Sequence, residues 1–373
     1  MFLNSIIFSE DVGQMPKRYE VVLNDIVDKI SKGVYKNGDM LPTESSMLTY
    51  YNVSRITVQK AMNILASRGI LERTPGRGTF VKDAANTRNN GHTNSFYAII
   101  TPFQEPETLK IIKNAQDVMS ANDQYLTVHF TDFKAQDEPQ IIDKLVADGV
   151  SGIIVYALFS DVNQAYYARL LRSDLPVVFV DKSIYGLTAN LVLADNHNGA
   201  YQAAEHLIQK GHRHIAFISY SSNWGSSLTE RLRGFVQCLK DHDLPLVPGR
   251  MAVNIPDGSL VADNLDKLIR KHPETTAIQC ATDHIARLAY EWANNRGLRI
   301  PQDISIIGFD NDIYTASMNP PMSTIAQDFS LIGTQAAELV LDISKTQSKL
   351  KRIIYTPTEL VERDSVLDLN TDR

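Results

Sequence analysis

Residues 84–95 read Ala-Ala-Asn-Thr-Arg-Asn-Asn-Gly-His-Thr-Asn-Ser. None of these side chains is an aliphatic larger than alanine, so the segment can bury almost nothing and cannot join a core. It cuts the 373-residue chain into a small unit before it and a large one after it. Fully extended at about 3.3 Å per residue, such a linker spans roughly 40 Å, enough for one unit to reorient relative to the other.

Charge divides at the same place. The chain as a whole carries −6, but residues 15–83 hold 11 Lys or Arg against 7 Asp or Glu, whereas residues 84–373 carry −8. A basic small domain ahead of an acidic large one suits a polyanion-binding head on a body with a separate task. Two cysteines, Cys238 and Cys280, cannot form a disulfide framework and fit a reducing compartment as buried thiols. No stretch approaches the roughly 18 consecutive apolar residues of a membrane span, and residues 1–14 lack a basic n-region and a small-residue cleavage site. The expectation is a cytoplasmic protein whose residues 1–14 form a tail or an upstream start.

Within residues 15–83, Tyr19, Val22, Leu23, Ile26, Val27 and Ile30 recur at spacings of three and four, the mark of an amphipathic helix that Gly33 ends. Thr43 is placed to cap a short helix over 44–50, Asn52 and Val53 supply a turn, and Ser54 caps a third helix over 55–68. That helix buries Val58, Ala61, Met62 and Leu65 and turns Arg55, Thr57, Gln59 and Lys60 outward, with Gly69 as its stop. Two short strands, 70–74 and 79–82, follow around Pro75-Gly76-Arg77-Gly78. The spacing predicts a winged helix-turn-helix whose third helix offers its N-terminus to base edges and phosphates.

Leu41-Pro42-Thr43-Glu44, Val53-Ser54-Arg55-x-Thr57-Val58, Leu65-x-x-x-Gly69 and Gly76-x-Gly78-Thr79-Phe80-Val81 form a connected set that closely resembles the DNA-binding domain of the GntR family of bacterial transcription regulators. The resemblance implies that Glu44, Ser54, Arg55, Thr57, Gln59, Gly76 and Arg77 contact DNA, and Lys60 joins them by its outward position. Ser45 stands where some members carry arginine.

Beyond residue 96, β-branched runs alternate with amphipathic stretches. Candidate strands are 97–101, 125–130, 152–156, 177–180, 215–219, 277–281 and 304–308. Alternation of this kind means parallel sheets flanked by helices, and its length implies two α/β lobes with a cleft at the carboxyl ends of the strands. Asp181, Asp195-Asn196, Asp283 and Asp310-Asn311 lie at such strand ends, where each could equally cap the following helix. Planar carboxylates and amides suit vicinal hydroxyls. Phe103, Tyr156, Tyr220 and Trp224 could offer an aromatic face to a sugar ring.

Leu193-Ala194-Asp195-Asn196-His197-Asn198-Gly199-Ala200, Gly211-His212-Arg213-His214-Ile215-Ala216, Arg231-Leu232-Arg233-Gly234-Phe235, the run from Ile300-Pro301 to Gly308-Phe309-Asp310, and Glu359-Leu360-Val361-Glu362-Arg363-Asp364-Ser365 resemble the effector domain of LacI-family repressors, itself similar to periplasmic sugar-binding proteins. The resemblance covers residues 96–366. It implies three crossings between lobes, near 189–195, 319–327 and 345–351, and an effector held by Arg231 and Asp310; the strand-end positions add Phe103, Asp181, Thr282 and Asp283 as expected effector contacts. Thr282 stands where the family usually carries asparagine, which removes an amide fork. A GntR head on a LacI-type body resembles the layout of arabinose-responsive repressors in Gram-positive bacteria.

The full expectation is therefore a 15–83 winged helix-turn-helix, an 84–95 linker, a two-lobed periplasmic-binding-protein-like α/β domain over 96–366, and a 367–373 tail. Its partners are operator DNA, a small sugar and a second copy of the chain, with no cofactor, metal or membrane. The alternatives are a sugar-binding protein without transcriptional control, and an activator answering to a sugar phosphate. No Gly-x-Ser-x-Gly elbow, His-Glu-x-x-His or Cys-x-x-Cys argues for an enzyme. The His206, His212 and His214 group is explained by a helix end and a strand start.

Overall fold

The computed structural model describes residues 18–67, 69–74, 77–82, 96–102, 105–157, 162–221 and 226–370. The expectations for residues 1–14, the linker 84–95, Gly76, Phe103 and Trp224 lie outside these. The chain divides into two units, with the boundary at Thr93 and Asn94.

The first unit holds α1 (Arg18–Ser31), α2 (Glu44–Tyr51), α3 (Arg55–Ser67), β1 (Leu71–Thr74) and β2 (Gly78–Val81). Val22, Leu23, Ile26 and Val27 of α1 share a core with Val58, Ala61, Met62 and Leu65 of α3, the faces the spacing predicts. Thr43 Oγ1 accepts from the Ser46 N–H to cap α2, and Asn52 ends it in the left-handed region at φ 48°. Ser54 Oγ accepts from the Thr57 N–H and opens α3. β1 and β2 pair antiparallel from Leu71 opposite Val81 to Thr74 opposite Gly78, which makes the wing.

The second unit has two lobes. The N-lobe runs β3 (Phe96–Thr101), α4 (Pro106–Ala121), β4 (Tyr125–Phe130), α5 (Glu138–Ala147), β5 (Gly152–Val155), α6 (Gln164–Leu170), β6 (Val177–Val180) and β7 (Asn190–Ala194). The C-lobe runs α7 (Asn196–Gln209), β8 (Ile215–Tyr220), α8 (Ser226–Asp241), β9 (Met251–Ile255), α9 (Val261–Lys271), β10 (Ala277–Cys280), α10 (Asp283–Asn295), β11 (Ser305–Asp310) and β12 (Ser323–Gln327). Then α11 (Phe329–Thr346) and β13 (Ile353–Thr356) return to the N-lobe, and β14 (Thr358–Val361) to the C-lobe.

Sheet order is β13-β7-β6-β5-β3-β4 in the N-lobe and β14-β12-β11-β10-β8-β9 in the C-lobe. Every pair is parallel except β12 with β14. Strands buried on both faces explain the continuous apolar runs. In the N-lobe, Ile99, Ile154 and Val178 pack with residues of α4 and α11, while Ile100, Ile153 and Phe179 pack with residues of α5 and α6.

The lobes are joined by three crossings: after Ala194, after Gln327 and at Pro357. The third corrects the expected crossing near 345–351. That polar stretch only connects α11 to β13 within one lobe, and the switch falls where Pro357, which has no N–H for a ladder, separates β13 from β14. Residues 367–370 also differ from the expected tail. The Leu367 N–H donates to Ser305 Oγ at 3.0 Å, the Leu369 N–H to the Lys210 carbonyl at 2.8 Å, and Asn370 Nδ2 to the Gln209 carbonyl at 2.8 Å.

Candidate functional sites

In the head, the expected DNA contacts are organised around one acid. Glu44, the first residue of α2, lies 4.0 Å from Arg55 Nε and 3.6 Å from an Arg73 guanidinium nitrogen, and Gln59 Nε2 donates to its Oε2 at 3.3 Å. The second helix, the third helix and the wing strand thus meet at a single carboxylate. Arg55 and Gln59, one turn apart on α3, share that face. Ser54 and Thr57 hydroxyls lie 2.8 Å apart at the start of α3. The Arg55 side chain is 74% exposed, and Arg77 is exposed in the wing turn. Lys60 is exposed, as expected, and its ammonium sits 4.2 Å from the ring centroid of Tyr19 on α1. Arg73 escaped the sequence reading because a lone arginine in a short strand carries no periodic signal.

In the body, a cavity of about 430 Å³ lies between the lobes. Arg231, only 3% exposed, forms its floor. The fold holds the guanidinium through Nε, one terminal nitrogen and its face. Its Nε donates to Asn196 Oδ1 at 2.8 Å and one terminal nitrogen to the Ala281 carbonyl at 2.6 Å. That same nitrogen lies 3.0 Å from Asp310 Oδ1. Its plane lies 3.7 Å from the Phe309 ring centroid, a cation–π contact. Two motif glycines make this geometry possible. A Cβ on Gly234 would fall 2.0 Å from the His197 carbonyl oxygen, so only glycine lets α8 approach α7 there. A Cβ on Gly308 would fall 2.0 Å from Asp283 Oδ1.

Asp181 and Asp310 both enter the cavity wall from strand ends with positive φ, 67° and 125°. Such backbone is strained for a residue with a Cβ and clusters at functional sites. Burial pushes the Asp310 carboxyl up, against the pull of the Arg231 guanidinium. Burial also raises the Tyr156 hydroxyl, which hydrogen-bonds Asp181, and lowers the Lys182 ammonium, 3.8 Å from Asp181. Thr282 lines the cavity and caps α10 by accepting from the Ile285 N–H at 3.2 Å.

Asp283 is the expected effector residue that the structure turns elsewhere. It is fully buried and does not line the cavity. Its Oδ1 accepts from the Thr324 hydroxyl at 2.7 Å and its Oδ2 from the Asp312 N–H at 2.8 Å. It therefore fixes the loop after β11, and burial pushes it up to about 7. Asp195 likewise serves as a cap, accepting from the Asn198 N–H at 3.1 Å.

The sequence reading missed Gln327, Lys182, Tyr314, Glu107 and His284, all of which line the cavity. Gln327 ends β12 at the second crossing, and its Nε2 donates to Asp310 Oδ1 at 2.6 Å, while its buried Oε1 has no hydrogen-bond partner. Lys182 was signalled by its place directly after a strand-end aspartate. The other motif residues serve the loop: Arg363 donates to Asn311 Oδ1 at 2.8 Å and to the Met322 carbonyl at 2.6 Å.

A winged helix-turn-helix with an exposed arginine on its third helix, followed by a two-lobed domain with a polar cleft, defines a ligand-binding DNA regulator. The comparisons with known proteins agree. The gntR family model of bacterial regulatory proteins matches residues 18–81, and a periplasmic binding protein-like domain model matches residues 204–366. An arabinose metabolism transcriptional repressor of Geobacillus stearothermophilus is 27% identical over 372 residues, covering 95% of this chain and 99% of that protein. The HTH-type transcriptional repressor PurR of Aliivibrio fischeri (strain MJ11) is 30% identical over 241 residues, 64% of this chain and 71% of that protein. The chain belongs to the bacterial HTH-type transcriptional regulators, with a gntR-type DNA-binding head and a periplasmic-binding-protein-like body.

Solved structures show the same fold. The CelR–cellobiose complex superposes with a TM-score of 0.65 at 20% identity, over 84% of this chain and 91% of that one. CcpA of Lactococcus lactis gives 0.65 at 19%, over 73% and 99%. No helix among the described residues is long and apolar enough to cross a membrane. Cys238 and Cys280 are both buried thiols.

Proposed function

We propose that the chain is a homodimeric repressor of carbohydrate-utilisation genes that binds a near-palindromic operator and is released from it by a neutral sugar such as L-arabinose. The observation that carries this reading is the chemistry of the cavity. Asp181, Asp310 and the unsatisfied Gln327 Oε1 are acceptors placed around one buried guanidinium. Vicinal hydroxyls, each a donor and an acceptor, match that set. Among the described lining residues the acids outnumber Lys and Arg five to three, which weighs against a phosphorylated effector. Relatives named as arabinose metabolism repressors support L-arabinose as that sugar. Two heads on a symmetric dimer would select paired half-sites. By position, Arg55, Gln59, Arg73 and Arg77 would meet DNA, with Glu44 holding the first three in register.

The test is thermal stability against a panel of sugars and sugar phosphates. A ligand that binds only the folded state stabilises by about 2.7 kcal/mol at a hundred times its Kd. L-Arabinose should raise Tm and sugar phosphates should not; a response to a phosphorylated sugar alone would overturn the neutral-effector reading. In operator titrations, saturating sugar should weaken DNA affinity by roughly 5-fold to 150-fold. Tightened binding would make the sugar a corepressor.

A further inference from the structure

Two acidic side chains meet across the cleft from opposite lobes. Glu107 lies in the first turn of α4, on the N-lobe, and Asp312 follows β11, on the C-lobe. Both line the cavity, and their carboxyl groups are in hydrogen-bonding contact. Asp312 is held in place: its N–H donates to Asp283 Oδ2 at 2.8 Å and its Oδ2 accepts from the Tyr314 hydroxyl at 2.7 Å. Two ionised carboxylates are acceptors only, so a bond between them needs a proton. When both are ionised, the same geometry is repulsive.

Lys110 pulls the Glu107 carboxyl down only as the smallest influence on it, and among the described residues the arginines lining the cavity are paired with other acids. Lys110 lies on the same helix as Glu107. From α10, Arg287 pairs with Glu291, and from α8, Arg231 pairs with Asp310. The other titratable groups facing the pair are His284 and the buried Asp283 of α10, Tyr314 of the loop, Asp310 of β11 and Glu105 ahead of α4. Burial and the proximity of Asp312 both push the Glu107 carboxyl up.

We propose that Glu107 donates a hydrogen bond to Asp312 across the cleft, so that the arrangement of the lobes in which the two meet holds a proton that an opened cleft releases, with or without sugar, and effector binding, which favours that arrangement, tightens as the pH falls. The inference rests on the cleft being the effector site, and its test has one arm with sugar and one without.

In the first arm, L-arabinose is titrated calorimetrically in buffers of different ionisation enthalpy from about pH 5 to 8, the range in which a raised carboxyl titrates. The wild type should take up as much as one proton per sugar bound, and its Kd should loosen by up to about tenfold per pH unit. Glu107→Gln carries its own N–H donor and should flatten both responses. Asp312→Asn removes the partner carboxylate and should flatten them too, and a wild-type response kept there would overturn the inference. So would a wild type without proton uptake, or a slope that survives Glu107→Gln.

The second arm compares melting of the wild type, Glu107→Gln and Asp312→Asn over the same range without sugar. A carboxyl raised in the folded state stabilises most at low pH, and that stability is lost as the pH rises through its folded value. The wild type should therefore fall behind both variants as the pH rises. Parallel curves would overturn the inference whether or not arabinose binds. Diverging curves with no heat from L-arabinose at any pH would support the carboxyl pair and refute the sugar.

Discussion

The head and the body place their proposed recognition residues in opposite surroundings. Arg55 stands 74% exposed, with only the loose pull of Glu44 at 4.0 Å. Arg231 is 3% exposed and is fixed by Asn196, the Ala281 carbonyl, Asp310 and the Phe309 ring. The partners explain the difference. DNA brings a dense field of phosphates, so an arginine can stay hydrated until contact and still be steered to its place. A neutral sugar brings no field, and its hydroxyls must find polar groups already oriented and stripped of water. On the proposed function the fold carries the cost of burying Arg231 and Asp310 in advance, and the residues proposed to meet the sugar also hold the lobe together.

Arg231→Ala is the sharpest way to break that contrast. Removing one partner of a buried ion pair strands the other and typically costs about 3–5 kcal/mol of stability. The variant should lose stability of that order in urea denaturation. In the folded fraction, sugar affinity should fall by about 2–5 kcal/mol, some 30-fold or more. A variant as stable as the wild type with unchanged sugar affinity by calorimetry would make Arg231 dispensable to both.

Arg55→Ala should show the reverse pattern. Stability should move by no more than about 0.5 kcal/mol, as for other surface positions, while operator affinity falls by about 1–3 kcal/mol if the fork reads a guanine. Anisotropy titrations on operator and random duplexes separate the roles. Equal losses on both would reduce Arg55 to a phosphate contact.

The same contrast governs what could be read in advance. Head helices were legible because Val22, Leu23, Ile26 and Val27 repeat at helical spacing and Thr43 and Ser54 are strong caps. Most of the seven body strands were legible as apolar runs, while Tyr125–Phe130, at the edge of its sheet, alternates. The strand at Ser323–Gln327 mixes hydroxyl and apolar residues because Ser323 and Thr324 are buried against Arg363, Ser365 and Asp283. Tertiary partners stand in for hydrophobicity there. Asp310 and Arg231 were found by motif. Gln327 and Glu107 were not, because each reaches the cavity through chain crossings or a lobe interface that no local pattern encodes. Asp283 misled for the converse reason: the motif shows that a carboxylate is needed, but only the packing against Gly308 shows which way it points.

The smallest expected effect concerns Lys60, whose outward position suggests a phosphate and whose ammonium lies over a tyrosine ring. Outward position on the third helix predicts a phosphate contact, whereas the ammonium lies 4.2 Å from the Tyr19 ring centroid. An exposed cation–π contact stabilises by about 0.5–1 kcal/mol, so Lys60→Ala should lower head stability by that amount and leave the salt dependence of operator binding unchanged. If Lys60 instead neutralised a phosphate, the slope of log affinity against log salt would shrink by about 0.9. Those two readouts are independent. A shallower slope with unchanged stability would return Lys60 to the DNA-contacting face and show that DNA draws the side chain off the ring.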